Sequence, residues 1–289
     1  MLLVTGASSP TGSAIVRRFA AHRHPVRGLT RSLARVQALT DLPGVELVEG
    51  DMTSPETLGR ALDGVTRALV ISSVQEDLVG TQSAFFAAAK SAGVPHLVKM
   101  SGEESGIGFD PEAFRGMRAH MAAERALEAS GVAWTMLRPS QFMQFYLRRA
   151  ADIGRGVLAL PMGASQLSPI DIEDIAHIAF AVMTTPGHEG QRYRMTGPEA
   201  MTMTELAAAF SAGLGTPVRY VDVPADEFRA RLAAAGTPEG MIGTLDEVFA
   251  ERRRRPISRV DLSTHERFGV TPTRFVEFAR RMRSAFVPL

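Results

Sequence analysis

The residues of this chain best placed for chemistry begin at position 6, where Gly6-Ala7-Ser8-Ser9-Pro10-Thr11-Gly12 closes a short apolar run and opens a helical pattern. Gly6 permits a tight turn, and Gly12 lets a helix pack closely on the strand before it. Ser9 stands where a middle glycine is usual; its small hydroxyl side chain still lets backbone approach a ligand. The N–H groups of such a helix start, at the positive end of its dipole, suit a pyrophosphate. Gly6, Ser8, Ser9, Pro10, Thr11 and Gly12 are therefore read as a dinucleotide phosphate turn, against the alternative of a bare strand, turn and helix.

A site for NAD places Asp or Glu about 20 residues beyond the glycines, where it takes the ribose hydroxyls. Here the first acidic residue is Asp41, while Arg27, Arg31 and Arg35 crowd the second apolar run and the turn after it. A guanidinium forks charge-assisted bonds onto a 2′-phosphate, which a carboxylate would repel. Arg31 at the run's end, helped by Ser32, predicts NADP(H) rather than NAD(H); the alternative is one more surface arginine. After the third run, Asp51 and Met52 are placed to hold the adenine, and after the fourth Ser72 and Ser73 lie near the nicotinamide-side ribose. Asp51 serves equally as a turn former, and the serines as a helix cap.

Ser101, after the fifth run, either orients nicotinamide or substrate or only turns the chain with Gly102. His120 lies mid-helix with Glu124 one turn on, a spacing that would pair them and favour the protonated imidazole. The competing account is a helix histidine with a structural hydrogen bond. Phe142, Met143 and Phe145 follow the last main run and either line a pocket for a flat aromatic ligand or fill core. Asp171 and Asp174 stand where a helix begins and are read as acceptors for its N–H groups; no metal site is expected. Cysteine is absent, which removes disulfides and thiolate chemistry, so redox chemistry has to come from a bound cofactor.

These residues punctuate an alternation of short apolar runs and helical stretches, the pattern of successive βαβ units and a parallel sheet. Strands are predicted at Leu2–Thr5, Val26–Leu29, Val45–Val48, Arg67–Ser72, His96–Met100 and Ala133–Arg138. Helices are predicted at Thr11–His22, Ser32–Leu39, Pro55–Leu62, Asp77–Ala92 and Pro111–Ser130. Such a sheet binds its ligand outside the carboxyl ends of its strands, at the switch in winding direction. Beyond Gln141 the alternation loosens into helices at Met143–Ile153, Ile172–Thr184, Met203–Leu214 and Ala225–Ala234, with strands at Val157–Leu160, Gln191–Met195 and Val218–Val223.

The 289 residues, 45% hydrophobic and 22% charged with a formal net charge of +1, describe an ordinary globular protein of the α/β class. No nucleic-acid partner is expected from that balance, and Arg252–Arg255 is read as a solvated helix end beside Glu251. No run approaches the ~20 apolar residues that span a bilayer, so neither a membrane partner nor a location outside the cytoplasm is expected.

In order, TGASSPTG, the Arg31 position, GDM, ISS, KMSG and Leu137-Arg138-Pro139 resemble the NmrA-like group of atypical short-chain dehydrogenases, nearest its quinone-oxidoreductase and triphenylmethane-reductase branch. The likeness runs on through Ser168–Ala176 and the turn Gly187-His188-Glu189-Gly190. It implies a Rossmann-type doubly wound parallel sheet over 1–140. A small C-terminal α/β substrate lobe follows over 141–289, some segments returning to the first domain, with a substrate cleft between the two. Met100 and Pro139, within these motifs, join the expected cofactor contacts. His120 falls where isoflavone-reductase relatives carry a catalytic lysine and the quinone-reductase branch a histidine.

Ordinary short-chain dehydrogenases use Tyr-x-x-x-Lys as their proton source. Here Tyr146, Tyr193 and Tyr220 are followed four residues on by Ala150, Gly197 and Pro224, and the only lysines are Lys90 and Lys99. Hydride arrival should then be the main event. The resemblance implies NADPH-dependent reduction of a flat electron-poor acceptor such as a quinone, dye or conjugated carbonyl. The alternatives are a non-catalytic NADP(H)-sensing regulator acting on a protein partner, and a biosynthetic reductase or isomerase of an aromatic intermediate.

Overall fold

A computed structural model describes residues 1–73, 77–102 and 113–287. Strands β1 (Leu2–Val4), β2 (Val26–Thr30), β3 (Val45–Glu49), β4 (Arg67–Val70), β5 (His96–Met100) and β6 (Ala133–Pro139) alternate with helices α1 (Pro10–Ala21), α2 (Gln37–Thr40), α3 (Gly59–Leu62), α4 (Leu78–Ser91) and α5 (Arg115–Ala129). Next come α6 (Ala150–Gly154), β7 (Val157–Leu160), β8 (Gln166–Leu167), α7 (Ile172–Thr184), β9 (Gln191–Met195), β10 (Met201–Thr202), α8 (Met203–Leu214), β11 (Arg219–Asp222) and α9 (Ala225–Ala234). The last helices are α10 (Glu239–Arg254), α11 (Ser263–Phe268), α12 (Phe275–Arg281) and α13 (Arg283–Phe286).

Seven strands form one sheet in the order β3-β2-β1-β4-β5-β6-β9, with β1 to β6 parallel. Winding therefore reverses between β1 and β4, the doubly wound arrangement expected from the alternation. Its inner strands are apolar nearly throughout because both faces are covered, and β1, β2 and β5 are buried along their whole length. At the reversal the Thr5 hydroxyl donates to the Ile71 carbonyl and accepts from the Ile71 N–H, both at 2.8 Å.

The chain divides into two compact units, one of Met1–Gly102, Arg118–Arg138 and Ile172–Tyr193, the other of Glu103–Met117, Pro139–Asp171 and Arg194–Leu289 in their described parts. The core of the first is built by residues such as Leu3, Leu29, Phe85, Phe86, Leu97 and Met136. The second centres on a ring cluster in which Tyr146, Phe210, Phe275 and Phe286 meet edge to face. Two small ladders flank it, β8 with β10 antiparallel and β7 with β11 parallel. Among the described residues no helix is long and apolar enough to cross a membrane.

Three expected helices are broken. Ser32–Leu39 is a 3-10 turn, Leu33–Arg35, followed by α2; the break falls at Val36, which together with Leu39 is buried while Leu33 is exposed. Pro55–Leu62 is likewise a 3-10 turn, Pro55–Thr57, and α3, and Met143–Ile153 is a 3-10 segment, Met143–Arg149, running into α6. The start of the helix expected from Pro111 lies outside the described residues. The arginine run is also corrected: Arg252 is 1% exposed and Glu251 is buried between Arg254 and Arg255. Ile242, Leu245, Phe249 and Arg252 recur at helical spacing along α10, so the Arg252 stem lies on the buried stripe and only the later arginines reach solvent.

Candidate functional site

The turn between β1 and α1 is closed by its glycines. Gly6 has φ +61°, open only to residues that tolerate the left-handed region, and a Cβ there would stand 2.9 Å from the Ile71 carbonyl oxygen. A Cβ on Gly12 would stand 2.2 Å from the Gly6 carbonyl oxygen, so helix and turn touch through backbone alone. Ser9 caps α1, its Oγ accepting from the Gly12 N–H at 3.0 Å, and Pro10 occupies the first helical position. The serine in the middle-glycine position thus has a local task. Ser8 and Pro10 are exposed beside this start, whereas the Thr11 side chain is buried. A cradle so bare of side chains fits a pyrophosphate, held by backbone at the positive end of α1.

Of the three arginines near β2, Arg27 is structural: buried, it donates to Glu46 at 2.9 Å and to the Ala61 and Asp63 carbonyls at 3.0 and 2.8 Å. Arg31 is exposed just past the strand end. Ser32 is shaped by Thr30, whose hydroxyl accepts the Ser32 N–H at 3.2 Å and donates to its carbonyl at 3.1 Å. The alternation does not single out Glu49. It ends β3 and accepts from the Leu33 N–H at 3.2 Å, placing a carboxylate on the same turn.

Asp51 Oδ1 accepts from both the N–H and the hydroxyl of Thr53, each at 2.8 Å; these bonds, and more weakly the Arg31 charge, outweigh partial burial and hold its carboxyl below the usual range. The turn-forming role is therefore filled. Met52 is buried in the first unit's core. The Ser72 hydroxyl accepts from Gln82 Nε2 at 2.9 Å, and Ser73 is exposed. Met100 and Pro139 are buried at the ends of β5 and β6.

Past β5 lies a polar cluster assembled from β5, α5 and β6. Ser101 is buried, its N–H donating to the Leu137 carbonyl at 2.7 Å and its hydroxyl donating to Glu124. The expected His120–Glu124 pair does not form. Arg138 takes the Glu124 carboxylate with two donors, and His120 instead meets Lys99, whose Nζ lies 3.1 Å from Nδ1. The physical reason is competition: a guanidinium fork and a buried hydroxyl bind a carboxylate better than an imidazole one turn away.

The electrostatics follow from that exchange of partners. Lys99 is fully buried, and burial, opposed by Glu124 and reinforced by Arg138, lowers its pKa to about 7. His120 is pushed well below the ordinary histidine value, by burial first and by the Lys99 charge second, the opposite of the expected upward shift. Burial alone would raise Glu124, but the hydrogen bonds from Arg138 and Ser101 and the charges of Arg138 and Lys99 hold it low. The imidazole edge lies against Gly102: a Cβ there would stand 3.4 Å from Cδ2 and 3.6 Å from Nε2 of His120.

Phe142, Met143 and Phe145 belong to the second unit. Met143 is buried in its core and its N–H donates to the Ile170 carbonyl at 2.8 Å, while Phe142 and Phe145 are half-buried. Asp171 is buried, accepting from Gln144 at 2.8 Å and pairing with Arg281.

The pattern of the NmrA-like family matches residues 1–278. The chain is 35% identical over 289 residues to an NAD(P)H azoreductase of Xenophilus azovorans, with 99% of each chain covered. It is 34% identical over 293 residues, covering all of both chains, to the (4-alkanoyl-5-oxo-2,5-dihydrofuran-3-yl)methyl phosphate reductase of Streptomyces griseus subsp. griseus. The structure of an NADPH-dependent quinone oxidoreductase from Escherichia coli in complex with NADPH is similar at a TM-score of 0.84 and 25% identity, covering 98% of this chain and 99% of that one.

Proposed function

The chain belongs to the NmrA-like family, and on that premise we propose that it is an NADPH-dependent reductase of flat, electron-poor acceptors: azo compounds, quinones, dyes and conjugated carbonyls. The observation that carries this reading is the likeness, over nearly the whole of both chains, to an NAD(P)H azoreductase. The quinone and dihydrofuranone reductases among the relatives support the same class of acceptor. What these acceptors share is that hydride arrival is the difficult event.

When bound, NADP(H) supplies the hydride. The chain's own part is to hold and protonate. The Gly6–Gly12 cradle receives the pyrophosphate, Arg31 with Ser32 takes the 2′-phosphate, and the residues after β3 and β4, Asp51, Met52, Ser72 and Ser73, line the path of the dinucleotide, with Met100 and Pro139 at the ends of β5 and β6. Ser101 spends its hydroxyl proton on Glu124, so its contribution is to fix that carboxylate. His120 serves the acceptor as proton donor.

NADPH oxidation, followed spectroscopically against a panel of azo dyes, quinones, cationic dyes and enones, tests the reading. Turnover with at least one class is expected. A protein that binds NADPH and oxidises it with none of them would overturn it.

A further inference from the structure

Among the described residues, the His120 ring has one hydrogen-bond partner, Lys99, reached through Nδ1, and its Nε2 edge is turned toward Gly102, where a Cβ would lie 3.6 Å from Nε2. Lysine is an unusual residue to find wholly buried. Lys99 also donates to the Met100 carbonyl at 3.3 Å, which fixes its ammonium at the strand end. We propose that Lys99 is a positioning residue for His120, keeping Nε2 protonated and returning a proton to Nδ1 each time Nε2 gives one up.

An ammonium has donors and no acceptor, so a charged Lys99 makes Nδ1 the acceptor, and the single proton of a neutral imidazole then sits on Nε2. If the shared proton shifts to Nδ1, the ring becomes imidazolium beside a neutral amine, and Nε2 again carries hydrogen. Both arrangements of the pair leave the same donor at Nε2. Among the described residues, the other charged groups acting on the pair are Glu124 and Arg138, and neither exchanges protons near neutrality. Glu124 on α5 is held ionised by Arg138 on β6, and a guanidinium does not titrate in this range. Glu124 balances the buried ammonium, and the lowering of Lys99 to about 7 places its proton where turnover at neutral pH can use it.

The step rests on the reductase reading, and its atoms and charges balance. A neutral acceptor that has gained hydride is an anion; the Nε2–H bond breaks and its proton goes to that anion. One N–H bond of the Lys99 ammonium breaks as an Nδ1–H bond forms, leaving a neutral amine and a neutral imidazole protonated on Nδ1. A proton from water then enters at Nε2, and the Nδ1 proton returns to Lys99.

The placement is tested without substrate by nitrogen NMR of the ring-labelled, full-length protein, with His120→Gln assigning the signal. At about pH 6 Nε2 should show the shift of a protonated nitrogen, and the Lys99 ammonium should titrate near 7 rather than near the ordinary ~10.4. An unprotonated Nε2 at that pH, or an ordinary lysine titration, would overturn the proposal. The proton return is tested by pH profiles. Wild-type reduction of an azo dye should fall as pH rises through about 7. Lys99→Met should lose about 10- to 100-fold on the azo dye, at least tenfold more than on a cationic dye whose neutral product needs no proton. Lys99→Gln, which still donates to Nδ1, should recover part of that loss while its downturn moves below the ordinary histidine value of about 6.5. A Lys99→Gln profile with the wild-type downturn would overturn the proton return. If wild-type protein reduces no acceptor, the reductase reading and the proton return fail together, and the NMR result still decides the positioning.

Discussion

Arg138 takes both carboxylate oxygens of Glu124, its Nε reaching Oε1 at 3.0 Å and its Nη2 bonding Oε2, in a setting where Glu124 is 5% exposed. The pair joins β6 to α5, and the same carboxylate faces the buried Lys99 charge.

Removing one partner of a buried pair leaves the other uncompensated. Glu124→Gln should therefore destabilise the protein by about 3–5 kcal/mol in urea unfolding. Because the folded carboxyl is held below its ordinary range, its contribution is complete above about pH 4.3 and is lost as pH falls through the lower folded value. A variant as stable as wild type at neutral pH would show that Arg138 and Lys99 find other partners.

Gly12→Ala puts a methyl group 2.2 Å from the Gly6 carbonyl oxygen, and neither is the end of a flexible side chain. We expect a loss of roughly 1–3 kcal/mol in thermal or urea unfolding from overpacking, together with loss of NADPH affinity by calorimetry. A Cβ added at Gly59, at the start of α3, would meet nothing within 4 Å. Gly59→Ala should stabilise by roughly 0.5–1 kcal/mol, which separates the packing effect from a general cost of substituting glycine.

Arg31→Ala tests cofactor choice. Losing charge-assisted bonds to a 2′-phosphate should weaken NADPH by about 1.5–3 kcal/mol, one to two decades in dissociation constant, and leave NADH nearly unchanged. Equal losses for both cofactors would move the 2′-phosphate away from Arg31.

His96, buried on β5, has Nε2 2.9 Å from the Thr135 hydroxyl; burial first and the Arg67 charge second lower its pKa to about 4, against the pull of Glu189. The folded state therefore prefers the neutral ring. Its contribution is full above about pH 6.5 and falls as pH drops from there toward 4, because the unfolded chain takes up the proton first. Urea unfolding at about pH 7.5 and 5 should show a loss of up to about 2 kcal/mol that His96→Gln lacks. An equal pH slope in the variant would assign the loss elsewhere.

The sheet is legible in the sequence because each parallel strand is an apolar run and several crossovers end at a glycine stop signal, Gly64, Gly93 and Gly131. Val26–Leu29 and Val45–Val48 are each one residue short of the observed strands. Elements held by distant packing are not visible. Of the four helices after residue 238 only the end of the first, at the arginine run, is evident beforehand; in that helix Gly240, Gly243 and the arginines obscure a spacing, Ile242, Leu245 and Phe249, that does mark a buried helix face. The cluster past β5 is hidden for a different reason. Residues 99, 101, 120, 124 and 138 come from three elements, and sequence distance favours the local pair His120 and Glu124 over partners that only the sheet brings near.

Thr5 gives the turn after β1 a mechanical property. Its one hydroxyl bonds both the N–H and the carbonyl of Ile71, stitching β1 to the segment after β4 at the point where the winding reverses. Gly6 then lies against the same carbonyl, so that the glycine turn and Ile71 share a common wall. The turn after β1 and the end of β4 are thereby tied together at Ile71 through one side chain, so the spacing between these two strand ends is set by a single threonine.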